Sequence, residues 1–201
     1  MFITFDGGEG TGKSTQVRLL AQRLRAQGRD VLTTREPGGT PEAEILRALL
    51  VSGDPNRWTA NEELLLNFAA RGSHIRQVIE PGLAKGQVII CDRFIHSSYV
   101  YQVVAGGADA ALFNALVEVI AANPKPDFTF VLDIDPVIGA SRAASRLSEK
   151  TENRFERKGA DFHQKVRDAF VALANKQQCH LIDATGSETE VAARIWAKLN
   201  G

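Results

Sequence analysis

Residues 7–14 read Gly-Gly-Glu-Gly-Thr-Gly-Lys-Ser and follow an apolar stretch at residues 2–5. They match the pattern G-x-x-x-x-G-K-[ST], which binds phosphate when it lies between a strand and a helix. The apolar residues 2–5 predict the strand, and apolar residues at helical spacing over residues 13–27 predict the helix. Glycines let consecutive backbone N–H groups face one anion, to which the helix adds its positive end. This predicts a nucleoside triphosphate site; the alternative is a glycine-rich turn with a solvent-facing lysine.

The donor nucleotide predicted for this loop is ATP with Mg²⁺. Lys13 would reach the β- and γ-phosphates, and the hydroxyl of Ser14, or of Thr15 beside it, would contact the metal ion. The loop residues expected to bind ATP are Gly7, Gly8, Glu9, Gly10, Thr11, Gly12, Lys13, Ser14 and Thr15.

Strand-like and helix-like stretches alternate along the rest of the chain. The short apolar stretches that predict strands are residues 2–5, 31–34, 88–91, 128–132 and 180–182. Helical periodicity occupies residues 13–27, 41–51, 62–79, 109–122, 162–176 and 188–199. Such alternation favours βαβ units and a parallel sheet covered on both faces. We expect an α/β, three-layer P-loop NTPase fold with a five-stranded parallel sheet, and a single domain spanning residues 1–201.

The amino-acid composition limits which binding partners and which cellular location are expected. Of the 201 residues, 44% are hydrophobic and 24% are charged, which suits an ordinary globular core. The 24 Lys and Arg balance the 24 Asp and Glu, so no overall field favours nucleic acid or a membrane surface, and neither partner is expected. Two cysteines are too few for a disulfide scaffold, and no apolar run is long enough for a membrane span. We expect a cytoplasmic protein.

Charged residues follow several of the predicted strands, where ligands bind in open α/β sheets. Asp92-Arg93 closes an apolar strand, a usual setting for a carboxylate that helps to hold Mg²⁺, so Asp92 joins Ser14 as a predicted metal-site residue. Arg93 could bridge the phosphates of a donor and an acceptor. The alternative for Asp92 and Arg93 is a structural ion pair. Arg35 precedes Glu-Pro-Gly-Gly, and this run is explained equally well by a contact to a phosphate and by a tight turn.

Arg71 lies on the apolar stripe of a helix that begins with the capping box Thr59-Ala60-Asn61-Glu62. Burying an unpaired guanidinium is costly, so Arg71 must either pair with an internal carboxylate or meet a ligand. The sequence leaves both readings open.

A basic segment at residues 142–158 carries six Lys or Arg against three Glu. Arg142, Arg146, Lys150 and Arg154 repeat every four residues, which would align them on one helical face. A solvated helix face is one reading. Because the segment follows strand four of a P-loop protein, a lid that closes over the phosphates is favoured, with Arg142 and Arg146 binding ATP and Arg154 acting in catalysis.

Three motifs occur together in the chain: residues 5–15, the run Thr34-Arg35-Glu36-Pro37-Gly38-Gly39-Thr40, and Asp92-Arg93-Phe94 followed by Ser97-Ser98 and Tyr101-Gln102. With them the sequence resembles the bacterial thymidylate kinase family over nearly its whole length. The resemblance implies ATP-dependent phosphorylation of dTMP to dTDP. It also implies that a glycine at position 10, where other members have arginine, goes with catalytic cations supplied by the lid.

The resemblance further implies a set of acceptor-site residues. Glu9 would face the acceptor sugar, Arg93 and Arg35 the acceptor phosphate, Arg71 a thymine carbonyl, and Tyr101 the 2′ position, which favours deoxyribose. Glu9 would thereby join Lys13, Arg93 and Arg154 in the catalytic set. The dTMP site would comprise Glu9, Arg35, Pro37, Phe68, Arg71, Arg93, Ser97, Ser98, Tyr101 and Gln102.

The chain departs from the family pattern at three places. Asp6 stands where glutamate is usual, and Asn153 where the lid commonly has aspartate. Asn67 occupies the position of the usual base-covering aromatic, which leaves the neighbouring Phe68 as the expected stacking partner.

Two other classes of function stay open. One is another small P-loop kinase, and the other is a guanine-nucleotide switch or regulatory ATP-binding module. The switch is disfavoured because the chain has no Asn-Lys-x-Asp motif. A homodimer is expected, with Leu65, Leu66, Val103 and Val104 as interface candidates, although core packing explains these residues equally well.

Overall fold

Five parallel strands form the sheet in the computed structural model, which describes residues 1–144, 154–155, 157–176 and 179–200. They are β1 (Phe2–Gly7), β2 (Val31–Arg35), β3 (Val88–Asp92), β4 (Phe128–Asp133) and β5 (His180–Asp183). Their order across the sheet is β2-β3-β1-β4-β5, so the first strand lies in the centre. The predicted five-stranded α/β fold is confirmed.

The α-helices, in chain order, are α1 (Lys13–Ala26), α2 (Pro41–Val51), α3 (Ala60–His74), α4 (Glu80–Ala84), α5 (Ile95–Ser98), α6 (Ala110–Ile120), α7 (Pro136–Ala144), α8 (Ala160–Lys176) and α9 (Glu188–Asn200). Within the described residues, two π-helical turns interrupt this series. Ile75–Ile79 joins α3 to α4, and Tyr99–Ala105 continues α5. Every described helix is too short or too polar to span a bilayer.

The three central strands, β3, β1 and β4, are buried on both faces, which explains why they are nearly continuous apolar runs. Ile3 and Phe5 point into one core with α1 and α9, where Leu20 and Ile195 pack. Phe2 points to the opposite face, into a second core formed largely by α3 and α6. Alternate side chains of β1 therefore pack against helices on opposite faces of the sheet.

Strand register brings the polar strand ends together. Phe5 of β1 lies opposite Asp92 of β3, and Arg35 of β2 lies opposite the same aspartate. The residues that immediately follow these strands therefore meet at one edge of the sheet, where the candidate site lies.

Candidate active site

The phosphate loop runs from the end of β1 into α1. Gly12 begins the helix in the left-handed conformation with φ 88°, which glycine adopts at little cost. The Lys13 ammonium bends back and donates to the carbonyl oxygens of Gly8 at 2.7 Å and Gly7 at 3.2 Å. Burial and the nearby Arg93 outweigh the attraction of neighbouring carboxylates and lower the pKa of Lys13 to about 8. The Lys13 ammonium therefore lies within the phosphate loop.

The backbone of helix α7 comes close to the backbone of the phosphate loop at two glycines. A Cβ on Gly10, where φ is +67°, would lie 1.9 Å from the carbonyl oxygen of Gly139. A Cβ on Gly139 would in turn lie 2.5 Å from the carbonyl oxygen of Glu9. Helix α7, which leads into the predicted lid region at residue 142, is therefore in direct contact with the loop, and this packing leaves no room for a side chain at position 10.

Ser14 and Asp92, the two predicted metal-site residues, meet at the start of α1. The Ser14 hydroxyl donates to Asp92 Oδ2 at 2.7 Å. A hydroxyl and a carboxylate are oxygen donors of the kind that Mg²⁺ prefers. The described residues contain no cluster of three or more His, Cys, Asp or Glu that could cage a metal, so an ion here would need phosphate oxygens and water to complete its coordination.

Arg93 connects the phosphate loop to the second half of the site. Its backbone has φ 71°, a left-handed conformation that is uncommon outside glycine. The guanidinium donates to the Gly7 carbonyl at 2.9 Å and to Ser97 Oγ at 3.2 Å, and it pairs with Glu9 Oε1 at 2.6 Å. Burial and neighbouring carboxylates act in opposite directions, and the net effect is to raise the pKa of Arg93 above its ordinary value.

Glu9 is held as an anion by its neighbours. Its Oε1 accepts a hydrogen bond from the Tyr101 hydroxyl at 3.0 Å in addition to the Arg93 contact. Burial alone would raise the pKa of Glu9, but Arg93, Lys13 and the Tyr101 hydrogen bond together lower it to about 2. Burial also raises the pKa of Tyr101 well above its usual range, so Tyr101 stays protonated and donates.

Arg71 pairs with an internal carboxylate, which is one of the two alternatives that the sequence left open. Its Nε pairs with Glu36 Oε2 at 2.7 Å and its Nη2 donates to Ser98 Oγ at 3.0 Å. Its Nη1 is buried and has no hydrogen-bonding partner within the described part of the chain. The same side chain lines a cavity next to the phosphate loop. Arg71 is therefore an anchored cation that retains a donor.

That cavity brings together residues from distant parts of the chain. Eight of the predicted acceptor-site residues line it, namely Glu9, Pro37, Arg71, Arg93, Ser97, Ser98, Tyr101 and Gln102. The remaining lining residues were not predicted for the acceptor site. They are Glu36, Arg47, Leu50, Val51, Asn67, Phe94, Arg154 and Phe155. Phe94 directly follows Asp92-Arg93 and Asn67 lies one turn before Arg71, so their positions next to predicted residues were a usable signal.

Similarity to known proteins agrees with this geometry. The family model for thymidylate kinase matches residues 5–195. The chain belongs to the thymidylate kinase family. Similar curated proteins include the thymidylate kinase of Afipia carboxidovorans, 47% identical over 97% of this chain and 86% of that protein, and that of Caulobacter vibrioides, 46% identical over 96% and 93%. A crystal structure of thymidylate kinase from Ehrlichia chaffeensis superposes with a TM-score of 0.80 at 32% identity, covering 100% of this chain and 98% of that one.

The prediction that Phe68 stacks on the acceptor base requires a correction. The structure buries Phe68 completely, edge-on to Phe113 at 5.8 Å between ring centroids, and it does not line the cavity. Asn67 lines the cavity instead, because successive helix residues point about 100° apart. The Arg71 guanidinium lies 4.6 Å above the Phe68 ring, so Phe68 supports the arginine from behind. Phe94 and Phe155 are the aromatic residues that line the cavity together with Tyr101.

Arg154 requires a second correction. It is completely buried, and its guanidinium pairs with Glu63 Oε1 at 2.6 Å and donates to the carbonyl oxygens of Leu50, Asp54 and Pro55 at 2.9–3.0 Å. These partners hold it at the acceptor cavity rather than at the phosphate loop. The structure thus assigns it a packing role where the sequence predicted a catalytic one.

Two other predicted cations, Arg35 and Arg142, do not line the cavity. Arg35 is half-exposed and pairs with Glu44 at 2.9 Å, and it does not line the cavity. Arg142, near the end of α7, donates to the carbonyl oxygen of Ala184 at 3.3 Å. Arg146, like the departure at Asn153, lies outside the described residues. The other departure, Asp6, is completely buried, and its Oδ1 accepts a hydrogen bond from Ser97 Oγ at 2.5 Å.

Proposed function

We propose that this protein transfers the γ-phosphoryl group of ATP to the 5′-phosphate of dTMP, which gives ADP and dTDP. The observation that carries the proposal is the position of Arg93. Its guanidinium contacts the phosphate loop at Gly7 and Glu9 and also contacts Ser97, a residue of the adjacent cavity. This position supports the proposal, because one cation would then contact both a donor phosphate and an acceptor phosphate. The names of the curated relatives support the choice of reaction.

The chemistry needs positioning and charge neutralisation more than a strong base. The second pKa of a phosphate monoester is about 6, so the attacking oxygen of dTMP is largely deprotonated at neutral pH. Glu9, whose pKa is about 2, stays ionised and is suited to accept a hydrogen bond from the acceptor sugar. Tyr101, which donates to Glu9, would restrict the space at the 2′ position and so favour deoxyribose.

Cations would stabilise the transferring group from two sides. Lys13 supplies charge from the phosphate loop and Arg93 supplies it from the acceptor side. Arg142 and Arg146 are proposed to bind ATP from the lid segment, about residues 142–158 of a single 1–201 domain. Support for the lid comes from α7, whose Gly139 contacts the phosphate loop directly.

Ser14 and Asp92 fit the Mg²⁺ that ATP-dependent phosphoryl transfer requires. Both are oxygen donors, and they lie within 2.7 Å of each other. Bound there, the ion would neutralise negative charge on the donor phosphates.

Acceptor recognition is proposed for the cavity. Arg71 Nη1, which has no hydrogen-bonding partner among the described residues, would donate to a thymine carbonyl oxygen, and Pro37, Ser97, Ser98 and Gln102 line the same cavity. Arg35 remains a proposed phosphate ligand, although this would require it to leave Glu44.

A panel of acceptors in a coupled ADP-release assay tests the function. We expect kcat/KM for dTMP to exceed that for AMP, CMP and shikimate, which represent the alternative of another small P-loop kinase. A preference for one of these acceptors would overturn the choice of substrate. Nucleotide-dependent partner binding without turnover would indicate a switch instead.

A homodimer is proposed from the exposed apolar residues of α3 and the π-helical turn after α5. Leu65 is 49% exposed and Val104 is 46% exposed, so core packing does not account for them. Light scattering should give the mass of a dimer for the wild type and of a monomer for Leu65→Asp. A monomeric wild type would refute the proposal.

A cytoplasmic location is proposed from cysteine chemistry. Both cysteines are thiols rather than a disulfide, as is usual in a reducing compartment. Fractionation of cells expressing the chain should place it with cytoplasmic markers; recovery with an oxidising compartment would refute this.

A further inference from the structure

A buried carboxylate that the proposed reaction does not use lies beside the acceptor cavity. Glu63, in the first turn of α3, is 2% exposed. Its Oε1 accepts from Arg154 Nη2 at 2.6 Å and lies 3.6 Å from Lys158 Nζ, while its Oε2 accepts from Gln102 Nε2 at 3.0 Å. Arg154 and Gln102 both line the cavity. Glu63 therefore ties together two cavity residues that are far apart in sequence.

The bond to Glu63 fixes the orientation of the Gln102 amide. An ionised carboxylate only accepts hydrogen bonds, so it is the NH₂ of Gln102 that must face Glu63. The amide oxygen Oε1 is therefore turned away from Glu63. Since Gln102 is 3% exposed and lines the cavity, this oxygen is an acceptor for whatever occupies the cavity.

We propose that Glu63 is a positioning residue for base selectivity, acting through Gln102. With its amide held by Glu63, Gln102 presents an acceptor to the N3–H of thymine, while Arg71 Nη1 presents a donor to a ring carbonyl oxygen. Cytosine offers the reverse pattern, an acceptor at N3 and an amino donor at C4. A site with fixed hydrogen-bonding groups discriminates against a base whose groups are left unpaired. The inference rests on the proposed function and deepens it.

The test compares two acceptors of nearly the same shape, dTMP and 5-methyl-dCMP, in the coupled assay. The readout is the ratio of their kcat/KM values. Glu63→Gln replaces an obligatory acceptor with an amide that can also donate, so the Gln102 amide is no longer restricted to one orientation. We expect the ratio to fall about tenfold, roughly the worth of one hydrogen bond. The loss should come mainly from a higher KM for dTMP rather than a lower kcat.

A double-mutant cycle separates positioning from general damage. In Gln102→Met, which has no amide to orient, adding Glu63→Gln should leave the ratio unchanged. Glu62→Gln is the matched control, because Glu62 is an exposed residue of the same helical turn. Because Glu63→Gln leaves Arg154 without its carboxylate, the double variant Glu63→Gln/Arg154→Met is measured as well, and its ratio should fall similarly.

The outcomes distinguish this inference from the proposed function. A wild type that does not phosphorylate dTMP would overturn both. A normal wild type whose ratio survives Glu63→Gln would overturn the inference alone. So would an equal fall in the ratio in the Gln102→Met background, since Glu63 would then act independently of Gln102.

Discussion

Replacing Arg93 with alanine should abolish turnover while leaving the protein folded. The change removes the guanidinium that contacts both the phosphate loop and the acceptor cavity. An arginine that stabilises a transferring phosphoryl group contributes about 10³–10⁵ in rate, or roughly 4–7 kcal/mol. Alanine is preferred to glycine because Arg93 has a φ of 71°. Glycine would relieve backbone strain while it removed the charge.

Arg93→Ala should lower the unfolding free energy because Arg93 stabilises the ionised form of Glu9. Burial raises the pKa of Glu9, but Arg93 is the leading cause of its net fall from 4.5 to about 2. A difference of that size between the folded and unfolded chain contributes at most about 3 kcal/mol of unfolding free energy at pH 7. Because the folded pKa is the lower one, this stability is present above pH 4.5 and is lost as the pH falls toward about 2.

Arg93→Ala should therefore be less stable than the wild type by up to about 3 kcal/mol at pH 7 and by about half as much at pH 3. Urea denaturation at the two pH values measures the difference, and the coupled assay measures kcat. Arg18→Ala, which removes an exposed arginine of α1, is the control and should change neither. Retention of more than about a tenth of the wild-type kcat would show that Arg93 is not catalytic. A stability difference independent of pH would show that Arg93 does not stabilise the Glu9 anion.

Three further substitutions test separate parts of the site. Lys13→Ala should abolish turnover with an unchanged circular dichroism spectrum, because it removes the buried cation of the phosphate loop; more than about a tenth of wild-type kcat would contradict this. Arg154→Met breaks the buried pair with Glu63 and should lower the urea unfolding free energy by about 3–5 kcal/mol. A loss of kcat as large as that of Arg93→Ala, with stability unchanged, would instead restore its catalytic assignment. Asp92→Asn should raise the Mg²⁺ concentration needed for half-maximal rate, and an unchanged Mg²⁺ dependence would exclude Asp92 from the metal site.

The fold was predictable because its signals are local. Each strand of a doubly covered parallel sheet is a short apolar run, and β1 and β3 show this clearly. The start of α3 was marked by the Thr59 to Glu62 capping box, which the structure contains. The π-helical turns at Ile75–Ile79 and Tyr99–Ala105 were not predictable, because a π-helical turn has no distinct apolar period and is set by tertiary packing.

The site was predictable where a motif fixes the backbone. Ser14 and Asp92 meet as expected, because one begins a helix and the other ends a strand beside it. Phe68 and Arg154 could not be placed from spacing, since one residue of helix rotation and one buried carboxylate decide where they point. Glu36 and Glu63 were missed as partners because an ion pair between distant elements leaves no local pattern.

In the proposed function, one crevice holds ATP and dTMP with their phosphates facing each other across Arg93. Inhibition by a single compound in which adenosine and thymidine are joined through a polyphosphate chain tests this arrangement most directly. We expect competitive inhibition against both ATP and dTMP, with each chain binding a single molecule in calorimetry. Competition against only one substrate, or separate binding of two molecules per chain, would contradict it.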